Sequence, residues 1–490
     1  MRGEIQTDRD EDKHERGMNF GLLVVANVLQ RAGATVEIVD LQGVRRDAWR
    51  ELLEQAIARG PTQILGIGSL SVYSFLPLVE ILSCARELAP ELTTIVGGQN
   101  AQNVQRSLEL LGRTDLLDYL VCGDGEEAVV EVAHAVKSKQ DIRIPGVSRP
   151  ASGDPFVGEF TRRVPLDERN SFLDYSLYPE YRQLWPVIEE SRGCPFRCDF
   201  CANVLQGGAN INFKSPQLLL AELEHLYRAY PSDEILPVVL MTSIFGAKAS
   251  LAHEFFELLA ATKLEPRFVA STRVDLHHER YLDLGARYFD QMHFGLESGA
   301  LATIERMVKT TNPVRYLERA EETLSAWHER GVHTAVNFIV GYAGESRGSV
   351  DESISWLTGH RGVIDSVWGG GLMAYPDSPF GREIERYNRD FGTSLETVSE
   401  FCEVLQTWPI NPSAELSYED VLEYVERVHD LFYDPGSYYH HYKWYVGPDS
   451  SSGTTRFIQK AEFERVFRLS TAARRQADAT NATMEAQDHG

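Results

Sequence analysis

Three cysteines fall within eight residues, Cys194-Pro-Phe-Arg-Cys198-Asp-Phe-Cys201. The spacing, C-x3-C-x2-C, lets three thiolates of one loop converge on one metal centre. A structural zinc site is closed by four ligands, but the next cysteine upstream is Cys122 and no histidine lies close by. A four-iron cluster is usually held by four thiolates. With three, one iron keeps an open position for a small ligand. The spacing favours that open-site cluster, with zinc and a metal-free loop as alternatives. A disulfide framework fits worst, because six cysteines in 490 residues are sparse.

Elements must position that loop, and the chain is long enough for two or three domains. Its first ten residues are charged and lack the apolar core of a signal peptide. No apolar run approaches the ~18 residues that span a bilayer, so a cytoplasmic protein is expected. The formal net charge of −24 disfavours nucleic acid, which needs a basic surface.

Ahead of the cysteines, strand-like and helix-like runs alternate. Helices are expected at Met18–Ala32, Asp47–Ala58, Leu76–Glu87, Asn103–Leu111 and Glu126–Val136. Strands are expected at Thr35–Val39, Gln63–Gly68, Thr93–Val96 and Leu117–Val121. Such alternation gives a parallel sheet with helices on both faces, whose ligands sit beyond the carboxyl ends of the strands. Those ends carry Ser69 and Leu70, then Gly97, Gly98 and Gln99, then Gly123, Gly125 and Glu126. From local pattern alone these also read as ordinary turns.

After the cysteines the alternation resumes. Strands are expected at Trp185–Glu189, Leu236–Met241, Arg267–Ala270, Gln291–Leu296, Thr334–Val340 and Asp365–Leu372. Helices are expected at Pro216–Tyr230, Leu251–Thr262, His278–Leu284, Pro313–Arg330 and Ser349–Gly359. Six strands and their helices suit a partial (β/α)6 barrel, with chemistry at the strand carboxyl ends. Polar groups stand there: Ser243, Ser271, Arg273, Glu297 and Asn337, followed by Met373-Ala374-Tyr375.

The cysteine stretch, with Phe200 before its last cysteine, resembles the motif of the radical S-adenosylmethionine (radical SAM) superfamily. So does the Gly295-Leu-Glu297-Ser-Gly299 turn. The resemblance implies a [4Fe-4S] cluster on Cys194, Cys198 and Cys201. It implies S-adenosylmethionine held near Phe200, Ser243, Ser271, Arg273, Glu297, Asn337 and the Met373–Tyr375 main chain. Cleavage to a 5′-deoxyadenosyl radical and an electron donor such as flavodoxin or ferredoxin follow from it. The first domain resembles the cobalamin-binding domain that precedes many radical SAM barrels. That likeness implies cobalamin at Ser69, Leu70, Gly97, Gly98, Gln99, Gly123, Gly125 and Glu126. It further implies methylation of an unactivated carbon of a small molecule or natural-product intermediate. In this group a strand should precede the Met18 helix, and residues 1–16 are too charged to form it. The alternative is therefore a cobalamin-independent rearrangement, cyclisation, epimerisation or oxidation of a small molecule or peptide.

The expected organisation is an α/β chain. A Rossmann-like (flavodoxin-like) domain covers 1–137, apparently without its first strand, and a connector covers 138–183. The partial barrel covers 184–380, a mainly helical region 381–470 and a disordered tail 471–490. In the helical region, Glu396–Leu405 and Tyr418–Phe432 show the clearer pattern. Tyr438–Tyr445 is unusually aromatic and reads as a packing cluster or a roof over the substrate.

Overall fold

The computed structural model describes residues 18–41, 44, 46–154, 160–202, 211–230, 237–396 and 401–432. The aromatic run at 438–445 and the 471–490 tail lie outside them.

The first domain runs α1 (Phe20–Arg31), α2 (Trp49–Ala58), β1 (Ile64–Gly68), α3 (Phe75–Leu88), β2 (Thr93–Gly97), α4 (Ala101–Leu111), β3 (Tyr119–Val121), α5 (Glu126–Ser138) and β4 (Val147–Ser148). The sheet order is β1-β2-β3-β4. The first three strands are parallel and β4 runs antiparallel on β3, so the start of the expected connector joins this sheet. Leu78, Leu82, Val104 and Leu108 close one side, and Val129 and Val132 pack with Ile95 and Val121 on the other.

One expected strand does not form. Thr35–Val39 is irregular backbone. In the flavodoxin-like order, the strand after the first helix lies beside the strand before it. Among the described residues nothing precedes α1 that could pair. Among the described residues β1, central in the full fold, is an edge strand, with Gly66 exposed and Ile64 and Leu65 half-buried.

The barrel begins at β5 (Val187–Glu189). The hairpin β6 (Ser191–Arg192) and β7 (Asn212–Phe213) brackets the cysteines. Then follow α6 (Pro216–Ala229), β8 (Val238–Met241), α7 (Ala249–Ala260), β9 (Phe268–Arg273), α8 (Leu282–Gly285), β10 (Phe289–Glu297), α9 (Leu301–Arg306), α10 (Pro313–His328), β11 (His333–Val340), α11 (Arg347–Gly359) and β12 (Ser366–Gly371). The six long strands form one parallel sheet in the order β12-β11-β10-β9-β8-β5. Helix starts are set locally. Ser215 and Asn312 accept hydrogen bonds from the main-chain N–H groups of Leu218 and Arg315, each ahead of a proline in the first turn. Met292, Phe294 and Val336 face the helices and meet Leu324 and Trp327 of α10.

Beyond the barrel lie β13 (Met373–Ala374), α12 (Pro379–Arg382), α13 (Ile384–Phe391), β14 (Ser394–Leu395), α14 (Phe401–Leu405), β15 (Trp408–Asn411) and α15 (Tyr418–Leu431). A small antiparallel sheet, β13-β15-β14, accompanies the helices of this region. Its strands have two to four residues, too few for alternation to show.

The domains interlock. α1 packs Phe20, Leu23 and Val24 into the barrel's core, and Leu405 of α14 joins the core of the first domain. Gln102 at the start of α4 donates to Asp377 beyond β13.

Candidate active site at the barrel mouth

All three motif cysteines are unbridged; Cys198 is buried and the other two are half-buried. Asp199 anchors their loop. Its N–H donates to Met307 O at 3.1 Å, and its carbonyl accepts from Phe380 N at 2.9 Å. Its carboxylate accepts from the hydroxyls of Tyr342, at 3.0 Å, and Tyr387. The loop is thereby fastened to β11, α9 and the C-terminal segment.

Arg273, at the end of β9, meets the loop from the barrel. Its Nη1 donates to Cys198 Sγ at 3.4 Å, and its guanidinium lies 4.0 Å from the Phe196 ring centroid. Asp275 grips the fork from the other side at 2.8 and 2.9 Å, and Lys309 O accepts from Nη2 at 2.7 Å.

Glu297 is aimed by backbone. The β10 register shifts between Gly295 and Glu297, and Glu297 has φ +72°. A non-glycine residue rarely adopts that conformation, and strained positions of this kind concentrate at functional sites. Its carboxylate pairs with Lys309 Nζ at 3.3 Å; the lysine side chain is 3% exposed. Lys309 also donates to Gly295 O at 3.0 Å and lies 6.0 Å from the Phe200 ring centroid. Below, Gly299 fits α11 so closely that a Cβ there would meet Trp356 Cβ at 2.6 Å.

The remaining rim residues divide in two. Ser243 and Ser271 are exposed and Asn337 is half-buried, so all three border open space. Met373 and Ala374 are buried and pair with Pro409 and Trp408 in the small sheet. The Tyr375 carbonyl closes a turn, accepting from Ser378 N at 3.0 Å.

In the first domain, much of what resembled a ligand edge serves the domain itself. Ser69 is fully buried, 2.9 Å from Ser74 Oγ, and accepts from Asn100 Nδ2 at 3.3 Å. A Cβ on Gly98 would stand 2.4 Å from Ser69 O, and one on Gly123 2.5 Å from Thr161 Oγ1. Glu126 accepts from Arg192 at 2.8 Å, as Asp124 does at 3.1 Å and Glu189 at 2.9 Å. Gly97, Gly125 and half-buried Leu70 keep more room, and Gln99 is exposed.

Arg192, Asp199, Asp275 and Lys309 were not singled out from the sequence. Asp199 lies inside the cysteine stretch and Arg192 two residues before it, which was the available signal. A lone lysine at a helix end carries none. A further sequence signal stands at Asp12-Lys-His14-Glu-Arg-Gly17, which has the D-x-H-x-x-G spacing that supplies a histidine to cobalt in some cobalamin proteins. It lies outside the described residues.

The donor set fits a cluster: Cys194, Cys198 and Cys201 offer three unbridged thiols on one loop, and a structural zinc is closed by four ligands. A cluster spreads its thiolates over separate irons.

The radical SAM superfamily model matches residues 188–357. The chain is 26% identical over 349 residues to an uncharacterized methyltransferase of Synechocystis, covering 70% of this chain and 59% of the relative. It is 24% identical over 332 residues to the hopanoid C-3 methylase of Methylococcus capsulatus, covering 65% and 60%. The matches thus span about three fifths of either relative's length. Among solved structures, the methyltransferase TsrM from Kitasatospora setae, with cobalamin and a [4Fe-4S] cluster bound, superposes with a TM-score of 0.66 at 18% identity, over 94% of this chain and 97% of that one. The cobalamin-dependent radical enzyme OxsB gives 0.68 at 14% identity, over 84% and 63%. A radical SAM domain takes a [4Fe-4S] cluster and S-adenosylmethionine as cofactors. Residues 188–357 of this chain are a radical SAM domain, and the first domain has the fold that cobalamin-dependent radical SAM enzymes set before the barrel.

Proposed function

We propose that this chain is a cobalamin-dependent radical SAM methyltransferase acting on an unactivated carbon of a small molecule. One observation carries the reading: the strand ends of the first sheet are tied to the mouth of the barrel. Arg192, two residues before Cys194, binds Asp124 and Glu126 of the turn after β3, and Gln102 reaches Asp377. A reaction that uses a second cofactor opposite the cluster needs that juxtaposition. The cobalamin bound to TsrM and the hopanoid C-3 methylase among the sequence relatives support it.

When bound, S-adenosylmethionine on the cluster supplies a 5′-deoxyadenosyl radical and cobalamin supplies a transferable methyl group. The chain supplies orientation. Cys194, Cys198 and Cys201 hold iron, and Arg273 offsets the charge of the Cys198 thiolate. Glu297 and Lys309 form a carboxylate–ammonium pair that complements the methionyl amino and carboxylate groups. Arg273, its fork held by Asp275, suits that contact less well. The electron comes from a donor such as flavodoxin or ferredoxin.

A second reading omits cobalamin. The edge position of β1 and the filling of Gly98 and Gly123 by the domain's own chain favour it. Metal analysis of protein purified without oxygen from cobalamin-fed cells separates the two. About one cobalt beside about four irons is expected. Four irons without cobalt would leave a cobalamin-independent radical enzyme.

A further inference from the structure

The barrel rim is charged, but the side of the lumen formed by β9 to β12 beneath it is not. Strand faces alternate: Phe268, Ala270, Met292, Phe294 and Val336 pack outward against helices. The opposite set, Met241, Ser271, His293, Ala335, Trp368 and Gly370, points inward. Met241 is 39% exposed and Ser271 is exposed although both lie in the middle of the domain, so the lumen is open. A Cβ on Gly370 would meet nothing within 4 Å. On Gly369 it would meet Val428 at 3.3 Å, and on Gly371 Val421 at 3.1 Å.

Below Arg273, no inward residue of β8 to β12 is an aspartate, glutamate, lysine or arginine; on β5, Glu189 faces inward beside Met241 and is held by Arg192. His293 stands edge-on to Trp368, ring centroids 4.9 Å apart at 76°. Burial, with His333 nearby, pulls His293 down to about 4, so its ring is neutral. His333 Nε2 lies 2.9 Å from Ser366 Oγ. At the floor, Gln291 is 1% exposed, and neither end of its carboxamide has a hydrogen-bond partner. Buried amides are rarely left so unless something else pairs with them.

We propose that this lumen receives an uncharged planar ring, a heteroaromatic or cyclic amide, which packs against Trp368 at Gly370 and points its polar edge at the Gln291 layer. The ring is the reacting part of the substrate, an identification that rests on the function proposed above. A charged group would be desolvated there without a counter-charge. A wholly apolar group would leave Gln291 unpaired. A planar ring matches the aromatic wall, and its N–H and C=O offer the amide both a donor and an acceptor.

The test uses the cluster-loaded protein with quinolin-2-one and its 4-carboxylate, titrated anaerobically by calorimetry. Quinolin-2-one is expected to bind at least tenfold tighter than the carboxylate. The substitution Gly370→Leu is expected to weaken it at least tenfold while iron content stays constant. Equal or tighter carboxylate binding overturns the proposal, and that comparison needs only the natural sequence. Unchanged quinolin-2-one affinity in a folded Gly370→Leu protein overturns it too. Iron content and S-adenosylmethionine cleavage, read on the same samples, test the radical SAM reading. Normal values beside lost discrimination sink the ring proposal alone, and absent cleavage beside intact discrimination sinks the functional reading alone.

Discussion

The two sheets of this chain end in different ways. The first closes its strand ends with its own backbone: Ser69 fills the space beside Gly98, and Thr161 fills the space beside Gly123. The barrel leaves its mouth open and rings it with paired charges, Arg273 with Asp275 and Lys309 with Glu297. The single contact between Lys309 and Glu297 beside a cavity is ready to exchange partners with a charged ligand, whereas backbone packed on backbone is not. The barrel is thus equipped to hold a charged cofactor, while the first sheet offers a surface fixed in place by Arg192.

The largest expected effect separates the two ends outright. Replacing Cys194, Cys198 and Cys201 together by alanine should abolish iron binding and S-adenosylmethionine cleavage. Far-ultraviolet circular dichroism should stay unchanged, because the first sheet and most of the barrel do not depend on the loop. Iron retained at the natural level would refute the assignment. Next comes the joint. Arg192→Ala strips the cation from Asp124, Glu126 and Glu189 at once. Removing one partner of such a buried group costs about 3–5 kcal/mol. Urea unfolding should register that loss, and a change below about 1 kcal/mol would mean that the domains do not rely on this contact.

Much of this was legible in advance where local pattern and tertiary need agree. The barrel strands and helices follow their hydrophobic runs, and Glu297 stood out between Gly295 and Gly299. Thr35–Val39 has the composition of a strand but not the neighbour, and β-propensity expresses itself only against a partner. Arg273 was expected to lie near S-adenosylmethionine, and the sequence could not show that Asp275, two residues on, would occupy its guanidinium. Lys309 acquires its role only when α9 returns it to the end of β10.

One rim carboxyl is not paired, and this sharpens the contrast. Glu190 is buried, its Oε2 has no partner, and burial raises it to about 7, with the hydroxyls of Ser191 and Thr242 pulling back. The folded protein therefore favours the protonated acid. Its contribution to stability is present in full below the ordinary value of 4.5 and is lost as the pH rises towards about 7. The difference is worth about 3 kcal/mol. Glu190→Gln should leave stability at pH 4.5 nearly unchanged and raise it by up to about 3 kcal/mol at pH 8. An equal effect at both pH values would show that the carboxyl is not held neutral.

The smallest effects compare the two ends most directly, one glycine in each. At Gly98, with φ +105° and Ser69 O in the way, alanine has to push backbone aside. Overpacking and strain together should cost about 1–3 kcal/mol. At Gly370 the same methyl group projects into the open lumen. Gly370→Ala should change stability by no more than about 0.5 kcal/mol, as for an ordinary surface substitution. Thermal unfolding of the two variants reads the difference. If Gly98→Ala proves as harmless as Gly370→Ala, the turn after β2 yields easily, the first sheet's edge is not sealed by its own chain, and the argument against a ligand at Gly98 falls. If both are costly, the lumen is narrower than its lining indicates, and the ring proposed for it has to be smaller than two fused cycles.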